Sequence, residues 1–202
     1  MRNVYFEPWV GNDYWNNGGI FNKKILIIGN NHYCDRDVYC EKCGVYGYNL
    51  DDWKTKKCSS MTQTGIKEYI DYQINNVGYE KWMATFSRFE KSLNDSSDSK
   101  DIWNSVAFYN YLQSAINGYG EKSSSQTIYK KYYKDYCDSE NALWEVIDNL
   151  KPNYIFVWGS VVRNHIGNTI QNRTSIPTLM IHHPSQGYDI LYWKKEISDF
   201  LS

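Results

Sequence analysis

Ile25-Leu26-Ile27-Ile28-Gly29-Asn30-Asn31-His32-Tyr33 decides how the rest of this chain reads. Four apolar residues in a row, mostly β-branched, leave no position for a solvated face, which is the pattern of a strand buried on both sides. Gly29 ends the run and polar side chains begin at once, so the carboxyl end of the strand opens onto Asn30, Asn31 and His32. Three more runs share that design. Val106-Ala107-Phe108-Tyr109 stops at Asn110, Tyr154-Ile155-Phe156-Val157-Trp158 stops at Gly159-Ser160, and Thr178-Leu179-Met180-Ile181 stops at His182-His183-Pro184-Ser185. Periodicity alone fits the run at Val106 to strand or helix, and the polar break at Asn110 makes it a strand.

Between these runs the apolar spacing becomes helical. Ile66, Tyr69, Ile70, Ile74 and Val77 recur at helical intervals before Gly78, and Trp82, Phe86, Phe89 and Leu93 continue the pattern in a second helix. Ala142, Leu143, Val146, Ile147 and Leu150 predict a helix that ends before Pro152. A short helix over Val161 to Ile166 and a C-terminal one through Trp193, Ile197 and Phe200 complete the series. Strands alternating with helices predict an α/β fold, a three-layer α/β/α sandwich on a central, mainly parallel, four-stranded sheet. The remaining stretches read as surface. They are an arm up to Lys23 lying on the surface or over a sheet edge, a Cys-rich loop insertion over about 34–60, a polar loop from Asn94 to Asp101, and an exposed basic-aromatic segment from Glu121 to Tyr136.

At 202 residues the chain predicts a single domain, 1–202. Hydrophobic residues make up 42% and charged ones 22%, with 4 prolines, which excludes collagen-like, low-complexity and largely disordered chains. No apolar run approaches the roughly 18 residues of a membrane span, and the first residues lack the charged-then-apolar order of a signal peptide. A soluble, cytoplasmic protein with no membrane partner is expected, as a monomer. Lys and Arg number 22 against 23 Asp and Glu, a net charge of −1, so a nucleic-acid partner has to be held locally rather than by a global field. Aromatic residues are 17% of the chain, which suits surfaces that stack on planar ligands and equally a ring-rich core.

In open α/β sheets ligands bind in the crevice beyond the carboxyl ends of the strands, and there the four polar signatures converge. Taken singly, each fits a turn residue or a satisfied buried amide. Their order, Gly29-Asn30-Asn31-His32-Tyr33, then Phe108-Tyr109-Asn110, then Phe156-Val157-Trp158-Gly159-Ser160, then His183-Pro184-Ser185, resembles the uracil-DNA glycosylase superfamily over about residues 24 to 200. The resemblance implies that superfamily's sandwich fold and a DNA-repair hydrolase acting on a base flipped out of DNA, single-stranded or duplex, with no cofactor required for chemistry. It puts Asn31 at the position that orients the hydrolytic water, an Asp in the uracil-specific branch and an Asn in the mismatch-specific one. Tyr33 matches the aromatic that excludes a 5-methyl group, with His32 where a proline is usual. Asn110 matches the amide that reads the Watson–Crick edge, and His183 the donor to the departing base oxygen. Asn30, Tyr33, Asn110 and Ser185 with Phe86 or Phe89 form the expected base-binding set, and Asn31 with His183 the catalytic pair.

That chemistry is coherent. Breaking an N-glycosidic bond leaves negative charge on the base, which a neutral imidazole stabilises by hydrogen bonding. An amide at Asn31 cannot act as a general base and only orients water. After His183-Pro184-Ser185 the second proline usual in the superfamily is replaced by Gln186-Gly187, and Tyr188 or Leu191 in that loop is the candidate wedge into the duplex. Candidate phosphate contacts are Lys54, Lys56 and Lys57, and the lysines from Lys122 to Lys134. Cys34, Cys40, Cys43 and Cys58 supply four thiolates in one loop, with a C-x2-C pair at Cys40 and Cys43, so a structural zinc and a set of reduced thiols stand level. Two rival functions remain open from sequence: a non-catalytic nucleobase or nucleic-acid binding module on the same fold, and a hydrolase of free nucleosides or nucleotides.

Overall fold

The computed structural model describes residues 1–34, 39–40, 45–46, 59–117, 125–185 and 187–202. Along the chain run β1 (Trp9–Val10), a 3-10 turn (Gly19–Phe21), β2 (Ile25–Gly29), β3 (His32–Cys34), β4 (Tyr39–Cys40) and β5 (Val45–Tyr46). Helices α1 (Met61–Asn75), α2 (Met83–Leu93) and α3 (Ser99–Ser105) precede β6 (Val106–Asn110) and β7 (Ala115–Asn117). Then come α4 (Ser125–Lys131), α5 (Tyr133–Asp138), α6 (Glu140–Leu150), β8 (Tyr154–Trp158), α7 (Ser160–Arg173), β9 (Thr178–Ile181) and α8 (Ile190–Leu201).

The central sheet is mixed and has five strands in the order β1-β6-β2-β8-β9. The four strands expected from sequence are present and mutually parallel, and β1 adds an antiparallel edge on β6 through Trp9 opposite Phe108. Of the two places expected for the arm before Lys23, it takes the sheet edge and not the surface. Phe6 and Tyr14 are fully buried. The Trp9 indole donates to the Trp103 carbonyl at 2.7 Å, and the Tyr14 hydroxyl to that of Leu150 at 3.2 Å. These anchors have no period, so spacing could not reveal them.

Strand alternation sends side chains to two cores, which is why β2 has no polar residue. Leu26, Ile28, Tyr109, Ile155 and Val157 meet α6 and α7 on one face, through Leu143, Val146, Ile147, Val162, Ile166 and Ile170. Ile25, Ile27, Phe108, Phe156 and Trp158 meet α1, α2, α3 and α8 on the other, through Ile66, Tyr69, Phe89, Trp103, Trp193 and Ile197. Full burial of each such side chain contributes roughly 1.5–3 kcal/mol. Among the described residues no helix is long and apolar enough to cross a membrane.

Other expectations change in detail. Helix α1 stops at Asn75, with Asn76 at φ 54° as its cap, so Ile74 and Val77 are exposed and not core. Helix α3 begins inside the stretch expected to be loop, and α7 runs beyond Ile166 to Arg173. The basic-aromatic segment forms α4 and α5 in its described part, where Lys130, Lys131, Tyr133 and Lys134 are exposed as expected, but Tyr132 and Tyr136 are buried in the core.

Candidate functional site

The carboxyl ends of β2, β6 and β8 open into a cavity of about 660 Å³. Its floor is aromatic, from Phe86, Phe108 and Trp158. Asn31, Asn110 and His183 reach it from three different strand ends, and Thr62, Thr64 and Thr85 bring hydroxyls from α1 and α2. Parallel pairing produces this convergence, because it sets Gly29 directly beside Asn110. At Gly29 a Cβ would stand 2.3 Å from the Asn110 Oδ1 and 2.8 Å from the Phe108 Cζ, so only glycine lets that amide lie against β2. Gly159 sits at φ 84°, where a side chain is strained, and its Cβ would come within 3.2 Å of the His183 Cβ.

His183 packs edge-on to Trp158 at 6.2 Å between ring centroids. His183 is solvent-exposed, and desolvation of its ring by the surrounding protein atoms lowers its pKa from the ordinary 6.5, which favours the neutral imidazole. Ser185 lines the cavity mouth, and its amide N–H donates to the His183 carbonyl at 2.7 Å, fixing the turn that presents the histidine.

Asn31 is half-buried. Its Nδ2 is shut off from solvent and meets no acceptor among the described residues, and the same holds for the indole N–H of Trp158. Both donors are as hidden from the cavity as from bulk solvent, so they face surrounding protein and not a ligand, each costing about 1–3 kcal/mol while unpaired. Asn110 is buried beside His32, its Nδ2 lying 3.3 Å from Nδ1 and 3.2 Å from Nε2 of the ring, while His32 Nε2 is 2.9 Å from the Thr62 hydroxyl. Burial pushes the His32 pKa down to about 3, so this ring is also neutral.

The remaining site candidates separate. Phe86 lines the cavity, with ring centroids 5.4 Å from Phe108 and 5.7 Å from Trp158. Phe89 lies wholly in the core, against Phe156 and Trp158. Tyr33 stands on the rim, 58% exposed. Asn30 contributes to the wall, but its Oδ1 accepts from the Tyr136 hydroxyl at 2.6 Å, which ties the cavity edge to α5. Of the wedge candidates, Tyr188 is buried, stacked on Trp193 and bonded to the Ser92 hydroxyl at 2.8 Å; Leu191 is 80% exposed on the first turn of α8.

Sequence reasoning missed Trp158, Thr62 and Trp82 as parts of this wall. Trp158 was legible in principle: it shares the parity of Phe156 and ends its strand, which puts it at the mouth on the α1–α2 face. Thr62 carries no such signal. Among the described residues lining the cavity Glu68 is the one carboxylate, and no Lys or Arg lines it. Lys54, Lys56, Lys57 and Lys122 lie outside the described residues. Lys130, Lys131 and Lys134 are exposed on α4 and α5, Lys131 over the Tyr132 ring and Lys134 paired with Asp138 at 2.6 Å.

Of the proposed zinc ligands, Cys43 and Cys58 lie outside the described residues, as do the side chains of Cys34 and Cys40. Among the described residues no three His, Cys, Asp or Glu side chains are grouped to hold a metal.

Compared with known proteins, the sequence matches no family model, and no curated protein or solved structure gives a significant match.

Proposed function

We propose that the cavity receives a nucleobase turned out of DNA and that the chain hydrolyses its N-glycosidic bond, in the manner the resemblance to uracil-DNA glycosylases implies. One observation carries this reading: Asn31, Asn110, His183 and Phe86, from four separate segments of the chain, line one cavity of about 660 Å³. That volume lies within the range of small-ligand sites, roughly 300–1,000 Å³.

The roles follow from the chemistry of each group. The flipped base stacks on Phe86, and unstacking it from its neighbours is offset by that contact and by the Asn110 amide on its hydrogen-bonding edge. Neutral His183 donates to a base oxygen and stabilises the negative charge that builds as the bond to the sugar breaks. Asn31 orients the water that attacks the sugar carbon. Because an amide takes up no proton, the attacking water loses its proton to solvent or to the departing base, and turnover is slow.

The amide at Asn31, where a carboxylate would serve as a base, also favours a second reading, a pocket that binds a base without cleaving it.

Base release from oligonucleotides bearing uracil, hypoxanthine, mismatched thymine or modified cytosine, single- and double-stranded, separates the two. Release is expected from at least one substrate, reduced about 10²–10³-fold in His183→Ala and at least about 10-fold in Asn31→Ala. Saturable binding of a base-bearing oligonucleotide with no release from any would replace hydrolysis by recognition alone. Equal rates on a free nucleoside would remove the polynucleotide from the account.

A further inference from the structure

We propose that His32, anchored on Thr62, is a positioning residue: it is the platform that fixes which way the Asn110 side-chain amide faces, and thereby which hydrogen-bonding edge the cavity accepts. The inference rests on the base-reading role given to Asn110 above.

The geometry is specific. The Asn110 Nδ2 lies almost equally far from the two nitrogens of the His32 ring, 3.3 and 3.2 Å. A point equidistant from both lies on the plane that bisects the ring through Cε1. An in-plane approach at those distances would drive the amide into Cε1, so the nitrogen sits over the face of the imidazole and not at a lone pair. An N–H over a π face is attractive, and a carbonyl oxygen in the same place is repelled. The other end of the amide is fixed as well, since Oδ1 lies against the space at Gly29 that a Cβ would fill.

The ring has its own supports. Its Nε2 is 2.9 Å from the Thr62 hydroxyl, and the Phe6 ring packs on it at 4.5 Å between centroids. The neutral state set by its burial keeps positive charge away from the amide NH2.

An unrestrained asparagine can turn its amide over and serve bases of opposite donor–acceptor order. A locked one serves a single order. Uracil and cytosine are the natural pair of probes, because N3 and the substituent at C4 exchange donor and acceptor between them.

The test is equilibrium binding of uracil and of cytosine to the full chain and its variants. In the unmodified chain one base is favoured. His32→Ala is expected to narrow the ratio of affinities about 10-fold or more, chiefly by improving the disfavoured base. Thr62→Val, which leaves the ring in place but unanchored, narrows it less, and His32→Phe, which restores a π face, recovers most of it. A ratio unchanged in His32→Ala, or both affinities falling equally, would overturn the platform role. If His32→Ala does not fold, Thr62→Val decides in its place, and a ratio equal to that of the unmodified chain would overturn the role as well. Asn110→Ala tells the two layers apart: if it alters neither affinity, the base-reading role itself fails and takes the platform with it.

Discussion

His32 and Glu90 are buried ionisable groups whose shifts pull the pH dependence of stability in opposite directions. Glu90 accepts from the Tyr69 hydroxyl at 2.5 Å, the Ser99 hydroxyl at 2.9 Å and the Trp103 indole at 2.6 Å, yet desolvation outweighs these bonds and raises its pKa. A raised carboxyl pKa means the folded state holds the proton more tightly. That contribution is complete below the unfolded value and is lost as pH rises through the folded one. For His32 the sign reverses. Its pKa falls from 6.5 to about 3, so its contribution is complete above pH 6.5 and is lost as pH falls toward 3. A displacement of that size is worth on the order of 5 kcal/mol. Urea unfolding between pH 4 and 7 should therefore show stability falling with acid, with a clearly shallower slope in His32→Phe. Glu90→Gln should instead make stability rise more steeply above about pH 4.5, because it removes the opposing contribution. A His32→Phe slope equal to that of the unmodified chain would contradict the burial of a neutral ring.

At the scale of elements, the strands carry both the legible part of the fold and the supports of the site. Ile25–Ile28 and Tyr154–Trp158 are legible because a strand buried on both faces has no polar position, and the parallel order of the strands places Asn31, Asn110 and His183 at one edge on sequence grounds alone. The arm was not legible: Phe6, Trp9 and Tyr14 are held by partners as distant as Leu150, and no local period records such contacts. Nor could spacing separate Phe86 from Phe89, since both fall on the apolar face of α2 and only packing sends one to the cavity and the other to the core. The strand ends make a prediction of their own. Gly159→Ala forces a side chain into positive φ and against His183, and should cost about 1–3 kcal/mol of stability. Because it also moves the imidazole, base release should fall by more than thermal melting alone explains. Unchanged release with a normal melting temperature would show that the turn does not set His183.

On the scale of the whole molecule, the chain is an α/β protein in which two apolar cores clamp a five-stranded sheet and leave one end of its parallel strands open. The wall at that end is mostly apolar, with a few amide, hydroxyl and imidazole groups and, among the described residues, one carboxylate, which suits a neutral planar ring. The central claim is that this ring is a nucleobase, held between Phe86 and the Asn110 amide. The most direct measurement is a titration with free uracil, thymine, hypoxanthine and cytosine, followed by the indole emission of the full chain, in which Trp82 and Trp158 line the cavity. The account predicts saturable quenching by at least one base, with affinity lowered about 10-fold or more in both Phe86→Ala and Asn110→Ala. No saturable change with any base, or the same affinity in both variants as in the unmodified chain, would contradict it.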